Sequence, residues 1–212
     1  MPVILPVKGV SPTIPSDCFI APNATLVGDV VMGSECSVWF NAVVRGDVNS
    51  IRIGNKVNIQ DGACIHCTYE KTKTIIGNKV SIGHHALVHG CTIEDNVLIG
   101  MGAIVMDNVH IGTNTIIAAG AVVLENTQCE SGSIYAGVPA KKVKDISVKK
   151  LVEIACNARI YSQQFLEQYD DYELRKRWSV YHKKECPKGH QIVRKKTGKR
   201  DRWSFFCPIC QK

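Results

Sequence analysis

Aliphatic side chains recur along this chain every six residues. They fall at Ile20, Leu26, Met32, Val38 and Val44, then at Ile53, Ile59 and Ile65. The beat resumes at Ile76, Ile82 and Val88, and again from Ile93 through Ile99, Val105, Ile111 and Ile117 to Val123. The fourth residue after each beat is nearly always small or β-branched, as at Ala24, Cys36, Ala42, Ala63, Ala86 and Ala103. A six-residue period matches neither a 3.6-residue helix nor simple strand alternation. It suits a triangular coil with one short strand per side, the aliphatic residue pointing inward and a small residue near each corner. Three hexads, about 18 residues, close one coil. The coils stack by parallel strand pairing into a quasi-one-dimensional core. Gly and Asn supply the unusual backbone angles that corners need. A β-sandwich with coincidental spacing is the competing reading, and seventeen beats weigh against it.

The beat slips in three places. Val44 to Ile53 spans nine residues, Ile65 to Ile76 spans eleven, and Val88 to Ile93 spans five. Insertions in a repeat protein map to surface loops and often to the functional face. All three slips surround histidines.

His66 follows Ile65 and His89 follows Val88, with three hexads between those two beats. The two histidines therefore occupy the same corner-adjacent position one coil apart. Adjacent coils lie about 4.8 Å apart. Two imidazoles at that spacing reach one metal with bonds of ~2.0–2.1 Å. Arg45, after Val44, belongs to the same column one coil below. His84 is the second residue after Ile82, on another side of the triangle, with Asp61 and Gln60 below it. Within one chain it does not join the other two. Across a threefold interface, where one side of a subunit meets a different side of the next, it would complete three ligands with a fourth position open, a catalytic rather than structural zinc arrangement. Solvated histidines are the bland alternative, and for His85 and His110 they are the expectation.

Beyond Val123 the pattern fades through Gly132-Ser133 and Gly137-Val138-Pro139. A helix is predicted from near Ser147, with a stripe through Leu151, Ile154, Ala155, Ala158, Ile160, Tyr161, Phe165 and Leu166. At the end, Cys186 and His190 are four apart, and Cys207 and Cys210 are three apart. Three cysteines and a histidine in two knuckles form a structural zinc pattern. The segment between reads as a hairpin turning at Thr197-Gly198-Lys199-Arg200. Roughly 25 residues build no core of their own, so the tail needs a metal to fold. The predicted organisation is a β-helix over 1–140, a C-terminal helix packed on it over 141–181, and a zinc-ribbon-like tail over 182–212.

Charge changes the picture only for the tail. The chain carries a formal +7. Residues 171–212 hold thirteen Lys/Arg against four Asp/Glu, which leaves the remainder at −2. The basic residues Arg194, Lys195, Lys196, Lys199, Arg200 and Arg202 suit an anionic partner such as nucleic acid, and a solvated charged hairpin explains them more simply. No apolar run approaches the ~18–20 residues of a membrane span. The first residues lack a basic segment before an apolar core. A cytoplasmic location follows as the expectation, with the ten cysteines as free thiols or ligands.

Several stretches are similar to γ-class carbonic anhydrases and their relatives. They are Asn41-Ala42-Val43-Val44-Arg45-Gly46-Asp47, Asn58-Ile59-Gln60-Asp61-Gly62, Ile65-His66 and Gly83-His84-His85-Ala86-Leu87-Val88-His89-Gly90-Cys91. Ile99-Gly100-Met101-Gly102-Ala103 and Tyr135-Ala136-Gly137-Val138-Pro139-Ala140-Lys141 extend the match, which covers roughly 14–169. The resemblance implies a left-handed parallel β-helix, a homotrimer, and zinc, or iron in some members, bound by His66, His84 and His89 at each interface. It places Arg45 and Asp47 at the family's catalytic pair, Gln60 beside the reacting water, and Asp61 opposite Arg45 across the interface. The implied reaction is attack of zinc hydroxide on CO2, with bicarbonate leaving. One departure stands out: Val48 follows Asp47 where the best-studied members carry a glutamate, and the loop after His66 is short, which leaves Glu70 or His85 as the candidate proton shuttle. Relatives without that acidic loop resemble the family in metal site yet hydrate CO2 weakly. Others are similar to acyl-CoA thioesterases or acyltransferases, so an acyl-CoA-directed enzyme is the alternative. A non-catalytic assembly module working through the tail is the third reading.

Overall fold

A computed structural model describes residues 1–147, 191, 193–197 and 202–206. The hexad beat becomes a three-sided parallel β-helix. Its first face stacks β1 (Val3–Leu5), the start of β3 (Thr25–Met32), the start of β5 (Val43–Ile53), β7 (Cys64–His66), β10 (Leu87–His89), β13 (Ile104–Val105) and β16 (Val122–Val123). The second face takes the far ends of β3 and β5, then β8 (Thr74–Ile76), β11 (Thr92–Ile93), β14 (His110–Ile111) and β17 (Gln128–Cys129). The third carries β2 (Phe19–Ile20), β4 (Ser37–Val38), β6 (Asn58–Ile59), β9 (Ser81–Ile82), β12 (Leu98–Ile99), β15 (Ile116–Ile117) and β18 (Ser133–Ala136).

The register places like residue on like. Leu26, Val44, Ile65, Val88, Val105 and Val123 pair successively along the first face. Val38, Ile59, Ile82, Ile99 and Ile117 do so along the third, and Ile53, Ile76, Ile93 and Ile111 along the second. All of these are buried. Each contributes roughly 1.5–3 kcal/mol through removal from water, which is why the period is kept so strictly. The small residues seen in sequence, Ala24, Ala42, Ala63, Ala86, Ala103 and Ala121, fill the space under one corner.

Corners require the left-handed backbone region. At the corner between the third and first faces this is met by Asn41, Gly62, His85, Gly102 and Gly120. Between the second and third faces it is met by Lys56, Lys79, Asn96, Asn114 and Gly132. The Gly/Asn expectation thus holds in part, since Lys and His also take the strained position. The second-to-third corner is braced by a side-chain ladder. Asn55 Oδ1 accepts from the Ser34 amide at 2.8 Å, Asn78 Oδ1 from the Asn55 amide at 2.9 Å, and Asp95 Oδ1 from the Asn78 amide at 2.7 Å.

The sequence division at residue 140 needs correction. Lys141–Asp145, assigned to the helical segment, form β19, which turns back antiparallel along Ser133–Ala136. The predicted helix from near Ser147 lies outside the described residues. The predicted hairpin is present: β20 (Val193–Thr197) pairs antiparallel with β21 (Arg202–Phe206), Val193 opposite Phe206 and Thr197 opposite Arg202. The chain divides into two compact units, Met1–Phe165 and Leu166–Lys212. Among the described residues the six cysteines Cys18, Cys36, Cys64, Cys67, Cys91 and Cys129 are free thiols, and no helix is long and apolar enough to cross a membrane.

Candidate metal centre

All three slips of the beat fall at one corner, between the first and second faces. There the chain crosses inside β5, through the loop 67–73, and through the short link after His89. The histidine column predicted from the count is real: His66 and His89 are direct partners in the β7–β10 ladder. Their rings meet edge-on, 5.2 Å between centroids, and His66 Nδ1 lies 3.2 Å from His89 Nε2.

The remaining ring nitrogens are held by carboxylates. His66 Nε2 lies 3.0 Å from Asp47 Oδ1, and His89 Nδ1 lies 2.8 Å from Asp107 Oδ1. Arg45 Nη1 binds the other oxygen of Asp47. Burial pushes the Asp47 carboxyl up, and hydrogen bonds from His66 and Arg45 outweigh this and hold it below the usual carboxylate range. Burial likewise opposes hydrogen bonds from Thr68, His89 and Thr72 at Asp107, which also ends below its ordinary value. Burial lowers the His66 imidazole, with the Arg45 charge acting in the same direction against the Asp47 hydrogen bond.

These facts fix the tautomers. An ionised carboxylate only accepts, so His66 donates from Nε2 and His89 from Nδ1. In the neutral imidazoles the facing nitrogens, His66 Nδ1 and His89 Nε2, are then both acceptors. Two lone pairs at 3.2 Å repel unless a proton or cation lies between them. Burial of His66 disfavours the proton. Two nitrogens each ~2.05 Å from a tetrahedral metal lie about 3.3 Å apart. The donor set fits a divalent cation, with carboxylates orienting each imidazole from behind.

Gln60, Asp61 and His84 are not brought to this corner. They sit at the opposite edge of the first face, after β6 and β9. His84 Nδ1 lies 3.0 Å from Asp61 Oδ2, both partly exposed. The expected partner of Asp61, Arg45, is at the other edge within this chain. Among the described residues no three His, Cys, Asp or Glu side chains of the single chain are placed to hold a metal ion together. Cys186, His190, Cys207 and Cys210 lie outside the described residues. The residue sequence reading missed is Asp107. It stands two positions after Val105, one coil above His89, and only the corner geometry shows that it reaches back.

The fold defines a class, the hexapeptide-repeat β-helix proteins. Residues 90–125 match the family model described as "Bacterial transferase hexapeptide (six repeats)". The chain belongs to the γ-carbonic anhydrase family. It is 43% identical to the "Carbonic anhydrase" of Geobacillus kaustophilus over 87% of this chain and 100% of that one. It is 50% identical to the "Probable carbonic anhydrase" of Methanocaldococcus jannaschii over 71% and 95%. Against "Gamma carbonic anhydrase 2, mitochondrial" of Arabidopsis thaliana the identity is 39% over 71% of this chain, and the chain spans 56% of that protein's length. A hexapeptide transferase family protein from Anaplasma phagocytophilum superposes with a TM-score of 0.75 at 36% identity, covering 79% of this chain and 98% of that one.

Proposed function

We propose that this chain is a subunit of a homotrimeric, metal-dependent carbonic anhydrase that interconverts CO2 and bicarbonate at sites shared between subunits. The observation that carries the reading is the His66–His89 pair, whose facing nitrogens are both left as acceptors by the carboxylates behind them. His84 of a neighbouring subunit would complete the ligand set, because the two half-sites flank the same face and a threefold arrangement brings unlike edges together. When bound, zinc or iron would supply a Lewis acid that makes water nucleophilic near neutral pH. Asp47, kept ionised by Arg45, accepts a hydrogen bond or proton beside His66. Gln60 arrives with His84 and orients the reacting water, and Asp61 steadies His84.

Stopped-flow CO2 hydration on anaerobically purified protein, with zinc and iron counted per chain, tests this. Hydration that vanishes in His66→Ala while the trimer persists is the expected outcome. A metal-loaded wild type without hydration removes the reading. In that case acyl-CoA chemistry is the successor, supported by the transferase-family neighbour and by a cavity of about 410 Å³ beside Lys71 and Lys73; it would show as acyl-CoA hydrolysis or transfer.

A second, structural zinc belongs to the tail reading, on Cys186, His190, Cys207 and Cys210. Its support is the hairpin register: with Val193 opposite Phe206, the segments preceding and following the two strands leave the same end of the hairpin.

A further inference from the structure

The loop 67–73 is built around one carboxylate. Thr68 Oγ1 donates to Asp107 Oδ2 at 2.6 Å, and Thr72 Oγ1 donates to Asp107 Oδ1 at 3.1 Å. The Thr68 amide donates to Thr72 Oγ1 at 2.9 Å, closing the loop on itself. The same Oδ1 receives His89 Nδ1–H at 2.8 Å. Asp107 is thus held by three donors, two from the loop and one from the imidazole. Thr74 fastens the other side: its hydroxyl donates to the His66 carbonyl at 2.6 Å and accepts from the Gly90 amide at 3.1 Å.

Gly90 shows how closely this is fitted. A Cβ there would run into Asp107 Oδ1 and the Thr72 side chain, at a backbone φ of +53°. The carboxylate reaches His89 only because residue 90 has no side chain and takes a left-handed turn. Nothing in a hexapeptide repeat requires this network. The regular corner between the second and third faces binds its own backbone with Asn55, Asn78 and Asp95.

We infer that Asp107 is the positioning residue for His89: held by Thr68 and Thr72, it fixes the imidazole with Nδ1 protonated and Nε2 facing His66, and so sets metal affinity at this site. The inference rests on the metal-site reading above and goes beyond it by naming what presets a ligand before the metal arrives. Removing partners of this kind typically costs 10–100-fold in metal affinity. Asp107 touches neither substrate nor reacting atoms.

The test has two readouts that do not depend on turnover. In the metal-free full-length protein, two-bond 1H–15N correlations report the tautomer of His89, assigned by its loss in His89→Ala. The wild type should show the Nδ1–H form, and Asp107→Ala a mixture. Chelator competition with zinc should then give a 10–100-fold weaker histidine site in Asp107→Ala. Thr68→Val with Thr72→Val should lie between wild type and Asp107→Ala, because the carboxylate remains but loses its hold. Thermal unfolding and the oligomeric state identify any variant that fails to fold, and the threonine pair then carries the test. An Nδ1–H tautomer and zinc affinity unchanged in a folded Asp107→Ala overturn the assignment while leaving the enzyme reading intact. Loaded wild type without CO2 hydration overturns the enzyme reading alone. A wild type that binds no metal at the histidines overturns both.

Discussion

Two corners of the same prism are built differently. Between the second and third faces every coil turns in the same way, and the side chains of Asn55, Asn78 and Asp95 bind the amides of the coil below. Between the first and second faces three successive crossings differ: β5 runs straight through, the next chain segment loops out over 67–73, and the one after is cut short at Gly90. The regular corner turns its Asn55, Asn78 and Asp95 side chains inward on the backbone of the fold. The irregular one directs two imidazoles at each other and two carboxylates at the imidazoles. A regular repeat turns its polar side chains on its own backbone, and a break in it brings side chains of different coils onto one another.

The sharpest way to break this comparison is to delete a ligand. His89→Ala should bring CO2 hydration to the uncatalysed background in stopped flow, with oligomeric state and circular dichroism unchanged, because the partly exposed His89 lies outside the hydrophobic core. Truncating the regular stack should do the reverse. Ile82→Ala removes a fully buried side chain on the third face and should cost ~2–5 kcal/mol of stability; calorimetry on the metal-free protein would measure it, with metal stoichiometry intact. Glycines sharpen the contrast. A Cβ at Gly54 would lie 2.7 Å from the Gly77 carbonyl, so Gly54→Ala should lower stability by about 1–3 kcal/mol and spare metal binding. Gly90→Ala should weaken zinc affinity as well, because its Cβ displaces Asp107. In the tail, Cys186→Ser with Cys210→Ser should lower bound zinc from about two to about one per chain and leave hydration unaltered. The smallest effect is in pH. His66 is held below its ordinary value, so its contribution is present above an unfolded value of ~6.5 and lost as pH falls through the folded one. The metal-free chain should lose stability on acidification through that window, and His66→Ala should lose less.

Much of the stack was legible because one residue type at one spacing specified it. Every beat from Leu26 to Val123 lands in the core, and counting hexads alone put His66 beside His89. The same count put Asp61 under His84, where a contact exists. Asp107 was hidden because its reach depends on how a broken corner folds, and the break removes the period that made counting possible. The strand Lys141–Asp145 was hidden for another reason. Its residues are all exposed, so no hydrophobic alternation marked it; what places it is the open edge of β18, which is a property of the neighbour.

That reversed strand also bears on how such molecules associate. A parallel stack ends in unpaired amides and carbonyls, and an identical stack could dock there and continue it without limit. Here the final coil is closed on the third face by β19 running against the grain, and on the first face by the Ala140 amide reaching the Val122 carbonyl at 2.7 Å. End-to-end growth into a filament is thereby blocked on two faces, and the lateral contact between prisms that the proposed trimer needs faces less competition from polymerisation.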